Sequence, residues 1–147
     1  KDSPYLKSII LNKGSKNNVK MGMAIVDDSY LVGKIIEVNY TNSRALLLSD
    51  LNSKIPVLLE PLDIHAVVSG TGKNYGIIEF TKEEYDQEID REKIIVYTSG
   101  YGGLFKSGLP VGEIIKNDEK KNIVNFFSDF RQLDYVKIVS YEIESGN

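Results

Sequence analysis

The chain has 147 residues, 27% of them charged, and a net charge of −3. That length suits one domain or two small ones and allows a buried core. The acidic balance argues against a nucleic-acid-binding protein, because phosphate contacts need a basic face. No apolar run approaches the length of a membrane span, and there is no cysteine for disulfides or thiolate chemistry. We therefore expect a soluble region, which can belong to a larger anchored protein.

Short runs rich in Ile, Val and Leu are separated by turn residues, at the spacing typical of β-sandwiches and β-barrels. The runs predict strands at 8–12, 23–27, 30–38, 44–49, 54–60, 64–70, 76–80, 94–99, 111–116, 123–127 and 135–141. The segment 82–93 differs, because it is highly charged and has Tyr85 and Ile89 four residues apart. It predicts a short exposed helix or a solvated loop.

The pattern predicts an all-β fold of two small β-barrel lobes of the six-stranded type, with five or six strands each. The run Glu60-Pro61-Leu62-Asp63 interrupts the strands midway and is the best boundary between the lobes. We assign 1–7 to a linker, 8–62 to the first lobe, 63–143 to the second lobe and 144–147 to a tail, and the terminal strands can exchange between lobes. Pro56 cannot donate a ladder hydrogen bond, which favours an edge position or a bulge for its strand.

Glycines are frequent where the chain must reverse direction, within 12–23 and 98–112. Glycine adopts backbone angles that other residues reach only with strain. We therefore predict structural turns at Gly14, Gly22, Gly33, Gly100, Gly103, Gly108 and Gly112. These are scaffold positions, so chemistry has to be sought in other residues.

A serine hydrolase is the first enzyme class to test. His65, then Asp86 or Asp90, then Ser99 follow the order of a two-barrel serine protease. Only 34 residues separate His65 from Ser99, too few for a second barrel to lie between base and nucleophile. His65 also lies on the polar face of its predicted strand. The sequence therefore predicts an exposed histidine, a structural serine and no catalytic residues.

Two further motifs are incomplete. Gly70-Thr71-Gly72-Lys73 has part of a phosphate-binding loop, but Val67 and Asn74 stand where the motif needs Gly and Ser or Thr. We interpret it as a hairpin turn. The segment 86–90 begins like a calcium loop, but Arg91 occupies the position that requires glycine. We therefore predict no metal and no cofactor.

The aromatic residues are nine tyrosines and five phenylalanines, with no tryptophan. Phe126 and Phe127 are adjacent in a predicted strand, so one of them must point away from its core. Tyr101 and Phe105 lie in a glycine-rich segment, where large side chains often project. Two interpretations stay open: packing within and between the lobes, or a protein-contact surface, where Tyr and Phe are concentrated.

An ordered set of motifs covers nearly the whole chain. It comprises Asn12-Lys13-Gly14-Ser15, the segments 19–26, 31–38 and 43–50, Thr98-Ser99-Gly100, Gly108-Leu109-Pro110-Val111-Gly112 and Gln132-Leu133-Asp134-Tyr135-Val136. In this order the set resembles the MreC family of rod shape-determining proteins. Lys93-Ile94 and Asn17-Asn18 depart from the family pattern, at positions that affect only turns.

The resemblance implies a non-catalytic scaffold of the bacterial cell-elongation machinery, with two trypsin-like barrels that lack the catalytic residues. It implies an extracytoplasmic location on the periplasmic side of the inner membrane. A coiled coil and an N-terminal transmembrane helix outside this chain would precede it. The implied partners are the elongation-specific class B penicillin-binding transpeptidase, MreD, the MreB system and further copies of the chain, as a dimer or filament.

For partner contact we predict the aromatic residues Tyr30, Tyr40, Tyr101 and Phe105, whose substitution by Ala should weaken binding without unfolding the chain. Two alternatives stay open. A peptidoglycan-binding module would stack sugars on exposed aromatics and would co-sediment with wall polymer. A two-barrel serine hydrolase would lose turnover on Ser99→Ala or His65→Ala.

Overall fold

The computed structural model describes residues 6–79, 93–101, 106–116, 122–133 and 135–139. These residues form strands and one turn of 3-10 helix at Ser15–Asn17, so the predicted all-β class is confirmed. The strands are β1 (Ser8–Leu11), β2 (Ala24–Asp27), β3 (Tyr30–Val38), β4 (Ser43–Leu47), β5 (Lys54–Glu60), β6 (Ile64–Gly70), β7 (Tyr75–Glu79), β8 (Ile95–Thr98), β9 (Pro110–Lys116), β10 (Asn122–Phe126) and β11 (Val136–Val139). Nearly all of the charged segment 82–93 lies outside the described residues.

The strands form two sheets. Five of them make an open antiparallel sheet in the order β1-β4-β3-β2-β11, and six close into a barrel in the order β10-β7-β6-β5-β8-β9. Closure removes both edges of the barrel, whereas the open sheet keeps β1 and β11 at its two edges. The predicted small six-stranded barrel is therefore present, accompanied in the described part of the chain by a five-stranded sheet.

Strand β5 belongs to the barrel, and the sequence-based assignment to the first lobe is wrong. Leu58 of β5 lies opposite His65 of β6 on one side and opposite Tyr97 of β8 on the other. The segment 61–63 is thus a hairpin turn inside the barrel. The sequence was misinterpreted because proline interrupts a strand in a hairpin turn as well as in a linker between lobes. The chain passes from the sheet to the barrel between β4 and β5. Strand β11 then returns to pair with β2, which is an exchange of a terminal strand between lobes.

Pro56 does not mark an edge strand, because β6 and β8 pair with β5 on its two sides, and neither pairing has a register shift that would indicate a bulge. The carbonyl oxygen of Pro56 accepts a hydrogen bond from the backbone N–H of Ser99 at 3.2 Å. The nitrogen of Pro56 faces the same side as its carbonyl, toward the end of β8 at Thr98. Proline is tolerated there because the neighbouring strand ends, so no ladder hydrogen bond needs its N–H.

Two hydrophobic clusters lie on opposite faces of the sheet. The larger fills the barrel and includes Ala24, Val26 and Leu31 from the sheet. The smaller packs on the other face of the sheet and includes Ile25 and Val32. Successive side chains of a strand point to opposite faces. The uninterrupted apolar run of β2 therefore reflects a strand buried on both faces.

The aromatic residues at the end of β10 and in the loop after it connect these clusters. Phe126 lies in the barrel core, whereas Phe127 is half-buried and contacts Tyr30, which confirms that one of the pair leaves the core. Phe130 packs against both clusters, and its ring lies 5.5 Å from that of Phe126 in an edge-to-face arrangement. Ser128 Oγ donates a hydrogen bond to the carbonyl of Leu31 in β3. This loop therefore fastens the barrel to the sheet.

Most of the predicted turn glycines lie between strands. Gly22 and Gly108 have φ angles of 89° and 84° and have open space around them. They occupy turns because only glycine reaches this left-handed region without strain. Gly100 follows β8 and Gly14 precedes the 3-10 turn, whereas Gly103 lies outside the described residues.

Gly33 and Gly112 lie inside β3 and β9, so the prediction of turns at these two positions is wrong. A Cβ atom at Gly33 would collide with the carbonyl oxygen of Leu46. A Cβ atom at Gly112 would collide with that of Asn125. These glycines are required because the neighbouring backbone approaches closely.

Candidate protein-contact surface

His65 and Ser99 do not form a catalytic pair. His65 is exposed on β6, Ser99 follows β8, and strand β5 lies between those two strands. Two strand spacings, about 9–10 Å, therefore separate the residues, which exceeds the hydrogen-bond reach of roughly 3 Å that a base and nucleophile need. Ser99 Oγ instead accepts a hydrogen bond from the backbone N–H of Tyr101 at 3.1 Å. The candidate carboxylates Asp86 and Asp90 lie outside the described residues.

The segment after Gly70 is a hairpin turn, as predicted. Thr71 Oγ1 donates to the carbonyl of Tyr75 at 2.7 Å and accepts from the backbone N–H of Lys73 at 3.2 Å. The flanking strands β6 and β7 pair directly. In the part of the chain that the structure describes, no group of three or more His, Cys, Asp or Glu side chains could hold a metal ion. The calcium-like segment 86–90 lies outside that part.

Asp129 is an exposed carboxylate in the loop after β10. The backbone N–H of Arg131 donates to its Oδ1 at 3.0 Å and holds the pKa of Asp129 below the ordinary value. The Arg131 Nε, 3.4 Å from the same oxygen, acts in the same direction. The lowered pKa reflects a turn that closes on its own backbone, which is a structural role.

An apolar patch with an exposed tyrosine lies on the outside of the barrel. Leu58, His65 and Tyr97 occupy one row across β5, β6 and β8, and directly opposed residues share a face. The neighbours of Leu58 in sequence, Val57 and Leu59, are fully buried, so this row faces outward. We call Leu58, His65, Tyr97 and Tyr101 the outer barrel patch.

Tyr101 is the most exposed member of the outer barrel patch. Its side chain is 74% exposed and its ring lies 6.4 Å from the imidazole of His65. Leu58 and Tyr97, in the same row as His65, are half-buried. A tyrosine that keeps large exposed area beside half-buried apolar residues provides the kind of anchor that dominates protein interfaces. The patch therefore has the composition typical of protein interfaces, and its single histidine has no acid or base partner among the described residues.

Of the other predicted contact residues, Tyr30 and Tyr40 do not join this patch. Tyr30 begins β3 and packs against the ring of Phe127 with centroids 5.0 Å apart. Tyr40 follows β3, is 68% exposed and has Lys16 Nζ 5.9 Å from its ring centroid. The length of β3 separates the two tyrosines by about 25 Å. Phe105 lies outside the described residues.

The prediction from the sequence named Tyr101 and did not include Leu58 or Tyr97. Each lies at an unremarkable position of an alternating strand. Only the pairing register brings them into one row with His65, because β5 pairs with both β6 and β8 and places Leu58 between His65 and Tyr97. A second outward row, Ile77, Ile123 and Ile115, was missed for the same reason.

Comparison with known proteins shows which family has this architecture. The model of the family described as rod shape-determining protein MreC, barrel core, matches residues 1–140. The chain belongs to the MreC family. Its sequence is 33% identical over 144 residues to the cell shape-determining protein MreC of Cereibacter sphaeroides, covering 97% of this chain and 47% of that protein. The chain thus spans about half the length of this relative.

Solved structures agree in shape. The crystal structure of MreC from Pseudomonas aeruginosa has a TM-score of 0.79 and 25% identity, covering 95% of this chain and 93% of that one. A solved complex between the penicillin-binding protein PBP2 and MreC from Helicobacter pylori contains a chain with a TM-score of 0.54 and 18% identity, covering 78% of this chain and 74% of that one. The second likeness concerns the fold alone. No helix in the described residues is long and apolar enough to cross a membrane.

Proposed function

We propose that this chain is a scaffold region that binds a peptidoglycan synthase outside the cytoplasmic membrane and so helps to organise growth of a rod-shaped cell wall. The partner is the elongation-specific class B penicillin-binding transpeptidase, and the outer barrel patch is the contact surface. MreD, the MreB system and further copies of the chain complete the assembly. An N-terminal membrane helix outside this chain anchors it.

The observation that carries the proposal is Tyr101, which is 74% exposed and lies beside His65, itself in a row with the half-buried Leu58 and Tyr97. Membership of a family of shape-determining proteins supports the biological role. The Helicobacter pylori complex supports the class of partner, because in it a chain of similar fold is bound to PBP2. A rigid barrel can raise the activity of a partner only by binding its active conformation more tightly than its inactive one.

Binding of this chain to the purified extracytoplasmic region of that transpeptidase tests the proposal. Tyr101→Ala should weaken the affinity by about tenfold or more, because truncating an aromatic anchor at the centre of an interface often costs about 2 kcal/mol or more. Tyr135→Ala is the matched control, since Tyr135 is 83% exposed and lies on the open sheet side of the chain, before β11. It should leave the affinity within about twofold.

Two results would contradict the proposal. Absence of binding by the unmodified chain would remove the partner, and equal affinity of the Tyr101→Ala and unmodified chains would remove the patch. The same measurement on Tyr30→Ala, Tyr40→Ala and Phe105→Ala tests the other predicted contacts. Affinity unchanged in all of them would restrict the contact to the outer barrel patch.

A further inference from the structure

The open sheet has an open cavity that is lined by residues from both of its edge strands. The cavity has a volume of about 640 Å³ and lies between Leu11 at the end of β1 and Val136–Ile138 of β11. Val19 and Met23 line its floor. This volume is within the range of roughly 300–1,000 Å³ that is typical of ligand-binding sites.

The cavity lies where the core of the sheet is incomplete. Val19 belongs to the smaller hydrophobic cluster, and Leu11, Met23, Val136 and Ile138 pack against that cluster while only partly buried. In the closed barrel the sixth strand covers the corresponding core, but the open sheet has five strands. Apolar side chains placed in the cavity would therefore extend a core that already exists.

Both strands beside the cavity have unused hydrogen-bonding edges in the described part of the chain. There β1 pairs only with β4, and β11 pairs only with β2. An edge strand presents a row of N–H and C=O groups to any extended chain that comes alongside. Extended segments bind such edges by adding a strand, with alternate side chains filling the adjacent pocket.

The charge around the cavity restricts what can be added. Lys13 and Lys137 line it and are exposed, and among the described residues that line it there is no carboxylate. The lining is basic although the chain as a whole has a net charge of −3. Charge complementarity therefore favours an acidic occupant over a basic one.

We infer that this cavity, the edge-strand groove, binds an extended acidic segment of a partner protein by strand addition. Apolar side chains of the segment alternate with Asp or Glu. The apolar ones enter the cavity beside Leu11 and Ile138, and the carboxylates meet Lys13 and Lys137. The groove lies on the sheet and uses none of the residues of the outer barrel patch, so this inference stands independently of the function proposed above.

Fluorescently labelled synthetic peptides test the inference. The probe is an eight-residue peptide that alternates Glu and Val, with blocked ends. One control has the same composition in two blocks, Glu first and Val last, and another alternates Lys and Val. We expect the alternating acidic peptide to bind, with an affinity that falls as salt is added, and both controls to bind at least about tenfold more weakly.

Charge-reversal variants identify the site. Lys13→Glu with Lys137→Glu should weaken binding of the alternating acidic peptide about tenfold or more. Lys73→Glu with Lys106→Glu is the matched control, because these lysines are also exposed but lie in turns of the barrel. It changes the net charge equally and should leave the affinity nearly unchanged. Peptide binding should also slow hydrogen exchange of backbone amides in β1 or β11, which a purely ionic contact would not do.

Several outcomes would overturn the inference. They are equal binding of the three peptides, equal losses in the two double variants, or unchanged exchange in both edge strands. A dimer of the chain that the Lys13→Glu and Lys137→Glu changes disperse, without any peptide binding, would assign the groove to a second copy instead.

Discussion

Asp50 shows how a single buried charge holds a junction of the molecule. It is 2% exposed in the connection between β4 and β5. Its Oδ2 accepts from the backbone N–H of Lys7 at 2.6 Å, and its Oδ1 accepts from that of Asn52 at 2.7 Å. These bonds join the segment before β1 to the point where the chain passes from sheet to barrel. Because its carboxylate accepts from two backbone donors, the role of Asp50 is structural.

Replacing this carboxylate should destabilise the fold. Asp50→Ala leaves two backbone donors without an acceptor and should lower the free energy of unfolding by about 2–3 kcal/mol. Asp50→Asn keeps one carbonyl acceptor and should cost about half as much. Glu37→Ala is the control, because Glu37 is exposed and its contact with Arg44 at 3.3 Å is a surface ion pair, worth about 0–1 kcal/mol. Urea unfolding measures all three, and equal losses for Asp50→Ala and Glu37→Ala would refute the role of Asp50.

Residue types in the sequence show when a catalytic or phosphate-binding motif is incomplete. They do not show which exposed residues form a binding surface. The missing Gly and Ser or Thr around Lys73 predicted a hairpin turn, which the structure confirms, because a phosphate loop depends on residues at fixed spacing in one turn. Exposed aromatics are different. Tyr30, Tyr40 and Tyr101 look equivalent in the sequence, yet Tyr30 packs on Phe127 and Tyr40 lies at the far end of β3.

At the scale of elements, the local sequence pattern predicts where the strands lie. It does not predict which strands pair with each other. Alternating or continuous runs of Ile, Val and Leu locate each described strand to within two residues at either end. Gly33 and Gly112 were misread as turns because glycine in a sequence signals either a bend or a close approach of another backbone. Which of these applies depends on the neighbouring strand.

The pairing of β9 with β10 gives a direct test of whether Gly112 is required by the close approach of another backbone. Gly112→Ala places a methyl group against the carbonyl oxygen of Asn125 and should cost about 1–3 kcal/mol by forcing the strands apart. Gly108→Asn is the control, since Gly108 has open space and Asn tolerates its left-handed φ of 84°. Chemical unfolding together with hydrogen exchange in β9 and β10 measures the effect. A cost for Gly108→Asn equal to that for Gly112→Ala would contradict it.

At the scale of the whole molecule, the sheet and the barrel share their cores. Ala24, Val26 and Leu31 of the sheet belong to the barrel cluster, and Phe130 touches both clusters. A unit built this way should unfold in one cooperative step, because neither part keeps a complete core without the other. The scaffold role proposed for the chain requires such rigidity.

Phe130→Ala should weaken that coupling. Removing the ring leaves space beside both clusters and should lower the free energy of unfolding by about 2–4 kcal/mol. Tyr135→Ala removes a side chain that is 83% exposed and should change it by less than about 0.5 kcal/mol. Calorimetry of the two variants provides the measurement. If Phe130→Ala were as stable as Tyr135→Ala, the loop after β10 would not be the link between the cores.

The sequence by itself determined the all-β class, the strand positions, the lack of a complete catalytic or phosphate motif, and the resemblance to the MreC family. These depend on residue types and on spacing within short segments, which tertiary contacts leave unchanged. The tertiary structure decided that β5 belongs to the barrel, that β11 returns to the sheet, and that Leu58, His65 and Tyr97 form one row. It also decided where the edge-strand groove lies. Pairing between distant strands fixes these features, and any of several pairings would satisfy the same alternating pattern.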